Sequence, residues 1–151
     1  KNQFEAGADI VQIFDSWAGL LPDEKIEKYC YKPNSELVNF CNKINLPVIC
    51  FPKGIKKKYL DFLLKVRPDG LNIDYDVDPN WARNNLKDVC IQGGMDPKIL
   101  FEKDEIILSE VEKYLNIFNN SPYIFNLGHG VLPEIKPETV QYIIEIVRNK
   151  K

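Results

Sequence analysis

Pro47-Val48-Ile49-Cys50-Phe51-Pro52-Lys53-Gly54 is a short apolar run that ends in a polar, glycine-marked tip. A run that is apolar at successive positions and too short for a helix reads as a strand buried on both faces. Helical spacing follows over residues 56–66, with Tyr59, Leu60, Leu63 and Leu64 expected on one face. The same unit of strand, polar tip and helix recurs in both directions. Upstream, residues 10–14 form a β-type run closed by Asp15-Ser16. A long polar loop is expected after it, then a helix over 36–41 with Ser35 as its N-cap. Downstream, strands are expected at 70–74, 89–92 and 123–127, and helices at 79–86, 104–118 and 137–147.

Short apolar strands alternating with helices argue for a parallel sheet covered by helices. The two usual solutions are a doubly wound sheet and a (β/α)₈ TIM barrel. All five strands end in polar or glycine-rich tips: Asp15-Ser16, Lys53-Gly54, Asp74 to Asp76, Gly93-Gly94-Met95-Asp96 and Gly128-His129-Gly130. A barrel brings every tip to one face, whereas an open sheet gathers them only at a switch point, so the pattern favours the barrel. A barrel spends about 31 residues on each unit, so five units take about 155. The 151 residues are therefore expected to be about five of the eight β/α units. On this reading residues 1–151 are the C-terminal part of a single barrel domain whose N-terminal units lie upstream. The missing initiator Met agrees with that expectation.

Composition narrows the function classes. Twenty Lys and Arg stand against 22 Asp and Glu, a net charge of −2 that argues against a nucleic-acid partner. No apolar run approaches the roughly 20 residues of a membrane helix, and Lys1 to Glu5 do not open a secretory leader. The four cysteines, Cys30, Cys41, Cys50 and Cys90, form no C-x-x-C pair and lie far in sequence from the single histidine. A zinc site is therefore not expected, and a reducing, cytoplasmic compartment is. Cys50 and Cys90 read as small core residues. Seventeen of the 20 cations are lysine, so forks for bidentate carboxylate binding are few.

The tips carry the candidate chemistry. Glycines around His129 can bring its imidazole close to a ligand, where it can bind a carboxylate or exchange protons. The plainer alternative is a turn with an exposed histidine. The run is no dinucleotide fingerprint, because Pro133 stands where a third glycine is expected. Ser16 can donate to a carboxylate or serve only as a turn residue. Lys53 is the tip cation, whereas Lys56, Lys57 and Lys58 read as a solvated helix face. Asp74, Asp76 and Asp78 imitate the start of a calcium loop but lack its glycine and terminal Glu, so they read as tip and turn residues. Asp96-Pro97 fits a helix start.

Taken together, the segments Ala6-Gly7-Ala8-Asp9-Ile10-Val11-Gln12-Ile13-Phe14-Asp15-Ser16-Trp17-Ala18-Gly19, Phe51-Pro52-Lys53-Gly54, Gln92-Gly93-Gly94-Met95-Asp96-Pro97 and Phe125-Asn126-Leu127-Gly128-His129-Gly130-Val131-Leu132-Pro133 resemble the uroporphyrinogen decarboxylases, in that family's order. Gly94 departs from the pattern, since the family commonly has Asn there. The resemblance implies a homodimeric (β/α)₈ barrel that works without metal or organic cofactor. It implies removal of CO₂ from the four acetate arms of uroporphyrinogen III to give coproporphyrinogen III, a carboxy-lyase step in haem and porphyrin biosynthesis. By the same resemblance Ser16 and His129 match substrate-contacting positions, His129 being the catalytic candidate, and Phe14 lines the cleft. The family's central aspartate, its arginines and its active-site tyrosine are expected upstream of Lys1. Two alternatives are weighed beside this: a non-catalytic fragment that needs its N-terminal half, and a related corrinoid methyltransferase. The latter holds zinc with a His-x-Cys pair, whereas His129 is followed by Gly130-Val131.

Overall fold

Five strands form at the apolar runs: β1 (Val11–Asp15), β2 (Val48–Pro52), β3 (Gly70–Ile73), β4 (Cys90–Gly93) and β5 (Tyr123–Ile124). They come from a computed structural model that describes residues 1–150. The strands lie in one sheet in the order β1-β2-β3-β4-β5. Every pair is parallel, with Val11 opposite Val48, Ile49 opposite Gly70, Gly70 opposite Cys90 and Ile91 opposite Tyr123. β5 is shorter than the expected 123–127, and beyond it only Leu127 rejoins the sheet, bridged to Met95.

Short α1 (Asn2–Glu5) precedes β1. Between β1 and β2 the expected helix over 36–41 lies inside a longer helical stretch, and the polar loop expected before it is helical too. A short 3₁₀ turn (Ala18–Leu20) leads to α2 (Asp23–Ile26), a widened π-type turn (Glu27–Tyr31) and α3 (Lys32–Lys43). Ser35 is thus inside a helix and not its N-cap. Ile26, Cys30, Tyr31, Asn34, Val38 and Cys41 are all buried and recur at helical spacing, which is the signal that the polar residues between them obscured. Pro33 has no N–H to return to the carbonyl four residues back, and the widened turn sits where that bond is withdrawn.

The remaining connections are α4 (Tyr59–Val66), α5 (Pro79–Asn85), α6 (Asp104–Ile117) and, after β5, α7 (Pro137–Asn149). Lys56–Lys58 and Pro97–Phe101 are 3₁₀ turns. In α4 the buried face is Tyr59, Phe62 and Val66, with Leu63 half-buried. Leu60 and Leu64, expected on that face, are 36% and 63% exposed. The reason is angular: at about 100° per residue, positions 62, 63 and 66 surround Tyr59, whereas 60 and 64 turn away.

Because the order is sequential, every crossover steps in the same direction. Right-handed crossovers then put all the helices on one face of the sheet, and no strand order reverses. α3 packs on α4, α5 on α6 and α6 on α7. Alternation sends Val48, Cys50, Leu71, Ile73 and Ile91 into the helix-side core. Cys90, expected in that core, is half-buried on the other parity with Gln92 and lies outside it.

The opposite face is concave. Gln92 Nε2 donates to Gln12 Oε1 at 3.2 Å and to Asn72 Oδ1 at 2.7 Å. Gln12 and Gln92 stand on β1 and β4, about 14 Å apart in a flat sheet. Their side chains meet because the sheet curls. The same crowding leaves Gly70 no room, since a β-carbon there would lie 2.8 Å from Ile49 Cγ1.

Candidate functional site

Parallel strands deliver all their carboxyl ends to one end of the curved sheet. At the β1 tip, Phe14 faces the concave side, 65% exposed, with its edge on Phe51 at 6.1 Å between centroids. Ser16 and Trp17 are exposed beside it. Asp15 has the other parity and accepts from Asn34 Nδ2 at 3.0 Å, which ties it to α3 and away from the cleft.

The tips are sewn together through backbone. Gly19 N donates to Lys53 O at 2.8 Å, joining the β1 and β2 tips. A β-carbon on Gly19 would lie 2.4 Å from Gly54 O, so this approach requires glycine. On the far side Gly128 N donates to Met95 O at 2.7 Å, and a β-carbon on Gly128 would lie 2.3 Å from Tyr75 N. The β4 tip turns through Gly93 and Gly94, both at positive φ (82° and 101°). Tyr123 and Tyr114 hydroxyls donate to their two carbonyls at 2.8 and 2.7 Å.

Asp74 is the hub of this end of the sheet. It is only 4% exposed, and its Oδ2 accepts from Tyr59 Oη and from Gly54 N, each at 2.6 Å. Its own N–H donates to Tyr59 Oη at 3.1 Å. Burial pushes the Asp74 carboxyl above the usual carboxylate range, against the Tyr59 and Gly54 hydrogen bonds that favour the charged form. Burial, reinforced by that carboxylate, raises the Tyr59 phenol as well. Asp78 instead caps α5, its Oδ1 accepting from Asn80 N at 2.7 Å and Trp81 N at 3.0 Å. Asp96 receives Lys98 N at 2.9 Å and opens the turn after β4. Tip and turn roles therefore account for Asp74 and Asp78.

Lys53 and His129 are candidates from tips 76 residues apart, and the fold brings them together: Lys53 Nζ stands 2.8 Å from His129 Nε2. Ser16 and Phe14 sit at the tip of β1, whose neighbour β2 carries Lys53. The cysteines lie elsewhere, with Cys30, Cys41 and Cys50 buried in the helix-side core. Burial pushes the Cys50 thiol up to about 12. Among the described residues no three His, Cys, Asp or Glu side chains are grouped as a metal site would need. The residues that sequence reasoning passed over as site components are Asp74 with Tyr59, and the Gln12–Gln92–Asn72 cluster. The cluster has a legible signal, since each of its members is an amide interrupting an apolar strand.

The model of the family described as uroporphyrinogen decarboxylase matches residues 1–150. Curated proteins named uroporphyrinogen decarboxylase are similar along nearly the whole chain. That of Jannaschia sp. is 39% identical over 150 residues, covering 97% of this chain and 44% of its own length. That of Orientia tsutsugamushi (strain Boryong) is 40% identical over 151 residues, covering 98% of this chain and 44% of its own length. That of Rickettsia bellii is 38% identical over 149 residues, covering 97% and 44%. The chain thus spans under half the length of these relatives. Among solved structures, a thiamine phosphate pyrophosphorylase from Pyrococcus furiosus aligns over 95% of this chain and 86% of its own, at TM-score 0.44 and 12% identity, a likeness too slight to carry an argument.

Proposed function

The chain belongs to the uroporphyrinogen decarboxylase family, and on that premise we propose that it is the C-terminal portion of an enzyme that removes CO₂ from the acetate arms of uroporphyrinogen III to give coproporphyrinogen III. Residues 1–151 are then one part of a single (β/α)₈ barrel domain, with about three further units upstream closing the curved wall against β1 and the far side of β5. The intact protein works as a cytoplasmic homodimer on a porphyrinogen, with no metal or organic cofactor and no nucleic-acid or membrane partner.

The substrate carries many carboxylates around a flexible macrocycle. Such a molecule is held by donors and positive charge at the rim and by apolar surface below. Each decarboxylation needs a proton on a pyrrole carbon, which makes the ring an electron sink, followed by loss of CO₂ from the attached arm. In this portion His129 and Ser16 donate to substrate carboxylates, Lys53 supplies the local cation, and Phe14 lines the apolar side. The central acid and the arginine forks belong to the upstream portion.

The meeting of Lys53 and His129 at the strand tips, within a chain matched by the family along its length, is the observation that carries this reading. Its test is turnover of uroporphyrinogen III by the full-length protein, with products resolved by their number of carboxylates. His129→Asn is expected to slow turnover or to let partly decarboxylated intermediates accumulate. An unchanged rate and product profile removes His129 from the site. The 151-residue chain alone is expected to be inactive, because the proposed central acid lies outside it.

A further inference from the structure

Lys53 leaves the end of β2 and His129 follows β5, three strands away, yet their side chains meet at 2.8 Å. The contact is chemically one-sided. An ammonium has three donors and no lone pair, so Nε2 of the ring is the acceptor, and a neutral imidazole in this pairing carries its proton on Nδ1.

Both partners come from anchored backbone. The Lys53 carbonyl accepts from Gly19 N at 2.8 Å, its N–H donates to Asp15 O at 3.1 Å, and the next amide, Gly54 N, donates to Asp74 Oδ2 at 2.6 Å. The residue before His129 is held by Gly128 N on Met95 O at 2.7 Å, in a site where a β-carbon would strike Tyr75 backbone. Several loops at once therefore fix the two backbones, and the side chains meet between them in an exposed contact.

Resting on the reading of this cleft as one that holds a polycarboxylate, we infer that Lys53 is a positioning residue for His129: its ammonium holds the imidazole as the Nδ1–H tautomer, so that Nδ1 offers a hydrogen-bond donor to a substrate carboxylate. The sign of the interaction is what matters. A lone pair on Nδ1 would repel an anionic oxygen, whereas an N–H there attracts it. Lys53 thereby acts twice, through its charge at the rim and through the tautomer it imposes, and one of its three donors is committed to the ring.

The test uses the full-length protein labelled with ¹⁵N-histidine and free of substrate, the His129 signals being assigned by their loss in His129→Asn. Long-range ¹H–¹⁵N correlation distinguishes the two tautomers. The expected ring has a proton-bearing Nδ1 and a pyridine-like Nε2. Lys53→Met is expected to shift it toward the Nε2–H form that free histidine favours, and Lys53→Arg, which keeps a donor, to preserve the Nδ1–H form. A wild-type ring protonated on Nε2, or one that Lys53→Met leaves unmoved, overturns the inference. Because this readout needs no turnover, a full-length protein that fails to decarboxylate uroporphyrinogen would sink the proposed function while leaving the tautomer result intact. In kinetics, the combined loss in kcat/KM for Lys53→Met with His129→Asn is expected to fall about tenfold short of the product of the single losses. Simply multiplicative losses would mean that the two residues act separately, against the inference.

Discussion

The two faces of the sheet are built on opposite principles. The helix-side face is mainly apolar, its polar exception being the Asp15–Asn34 pair at the β1 tip: Val48, Cys50, Leu71, Ile73 and Ile91 meet Val38, Phe62, Ile107 and Val111 from the helices in one core. Its cohesion is non-directional and needs only shape and area. The concave face buries amides, and at the strand tips a carboxylate, Asp74, is buried against Tyr59 of α4. Gln92, Asn72 and Asp74 are all under 6% exposed, and each is tolerated because named partners satisfy it. On the proposed function, this is the face that meets the substrate.

The largest expected effect is on the helix side. Phe62 is fully buried and meets Tyr31 edge-on at 5.6 Å. Phe62→Ala in the full-length protein should cost about 3–5 kcal/mol in urea unfolding, from lost burial plus a cavity. A loss near zero would mean that this face is not the stabilising one. On the concave face, Gln92→Leu leaves the Asn72 and Gln12 oxygens without their shared donor and should cost about 1–3 kcal/mol. Adding Asn72→Leu should recover part of that loss, because the orphaned acceptor goes with it. No recovery would show that the amides are not acting as a pair.

At the rim, Tyr59→Phe removes one of the two hydrogen bonds on Asp74 Oδ2 and should cost about 1–2 kcal/mol by chemical denaturation. The same site has a pH signature. The Asp74 carboxyl is raised in the folded protein, so the folded state binds its proton more tightly than the unfolded chain does. The stabilising contribution is complete below the ordinary carboxylate pKa and is lost as pH rises through the raised value. The stability difference between wild type and Asp74→Asn should therefore favour wild type most at acid pH and shrink on going to neutral. A difference that grows toward neutral pH would reverse the sign assigned to the burial of Asp74. The smallest effect belongs to Leu64, on the outer side of α4: Leu64→Ser should change stability by no more than about 0.5 kcal/mol. A larger loss would restore Leu64 to the buried face from which the structure removes it.

The position of each strand was legible because an apolar run of four or five residues between turn signals has few other uses. The strand limits were less so: β1 to β4 begin and end within a residue or so of expectation, while β5 stops after Ile124. The helix over 36–41 was legible, but the helical stretch leading into it was hidden because Pro33 and the surrounding charges resemble a loop, although Ile26, Cys30 and Val38 kept helical spacing through it. At the candidate site, Lys53, Ser16, Phe14 and His129 were visible as polar, cationic or aromatic residues at strand tips. Asp74 was visible too, but as a turn residue. That it binds both the Tyr59 hydroxyl and the Gly54 amide is a fact of three-dimensional closure that no spacing encodes.

Local composition determined the alternation of strand and helix and the residue types offered at every tip. Those follow from periodicity and from the conformational range of glycine and proline, which act over a few residues. The curl that brings Gln12 to Gln92, and the approach of Lys53 to His129 across three strands, were decided by tertiary structure alone. They depend on strand order and on backbone contacts at Gly19, Gly54 and Gly128, where a hydrogen in place of a β-carbon lets distant loops touch.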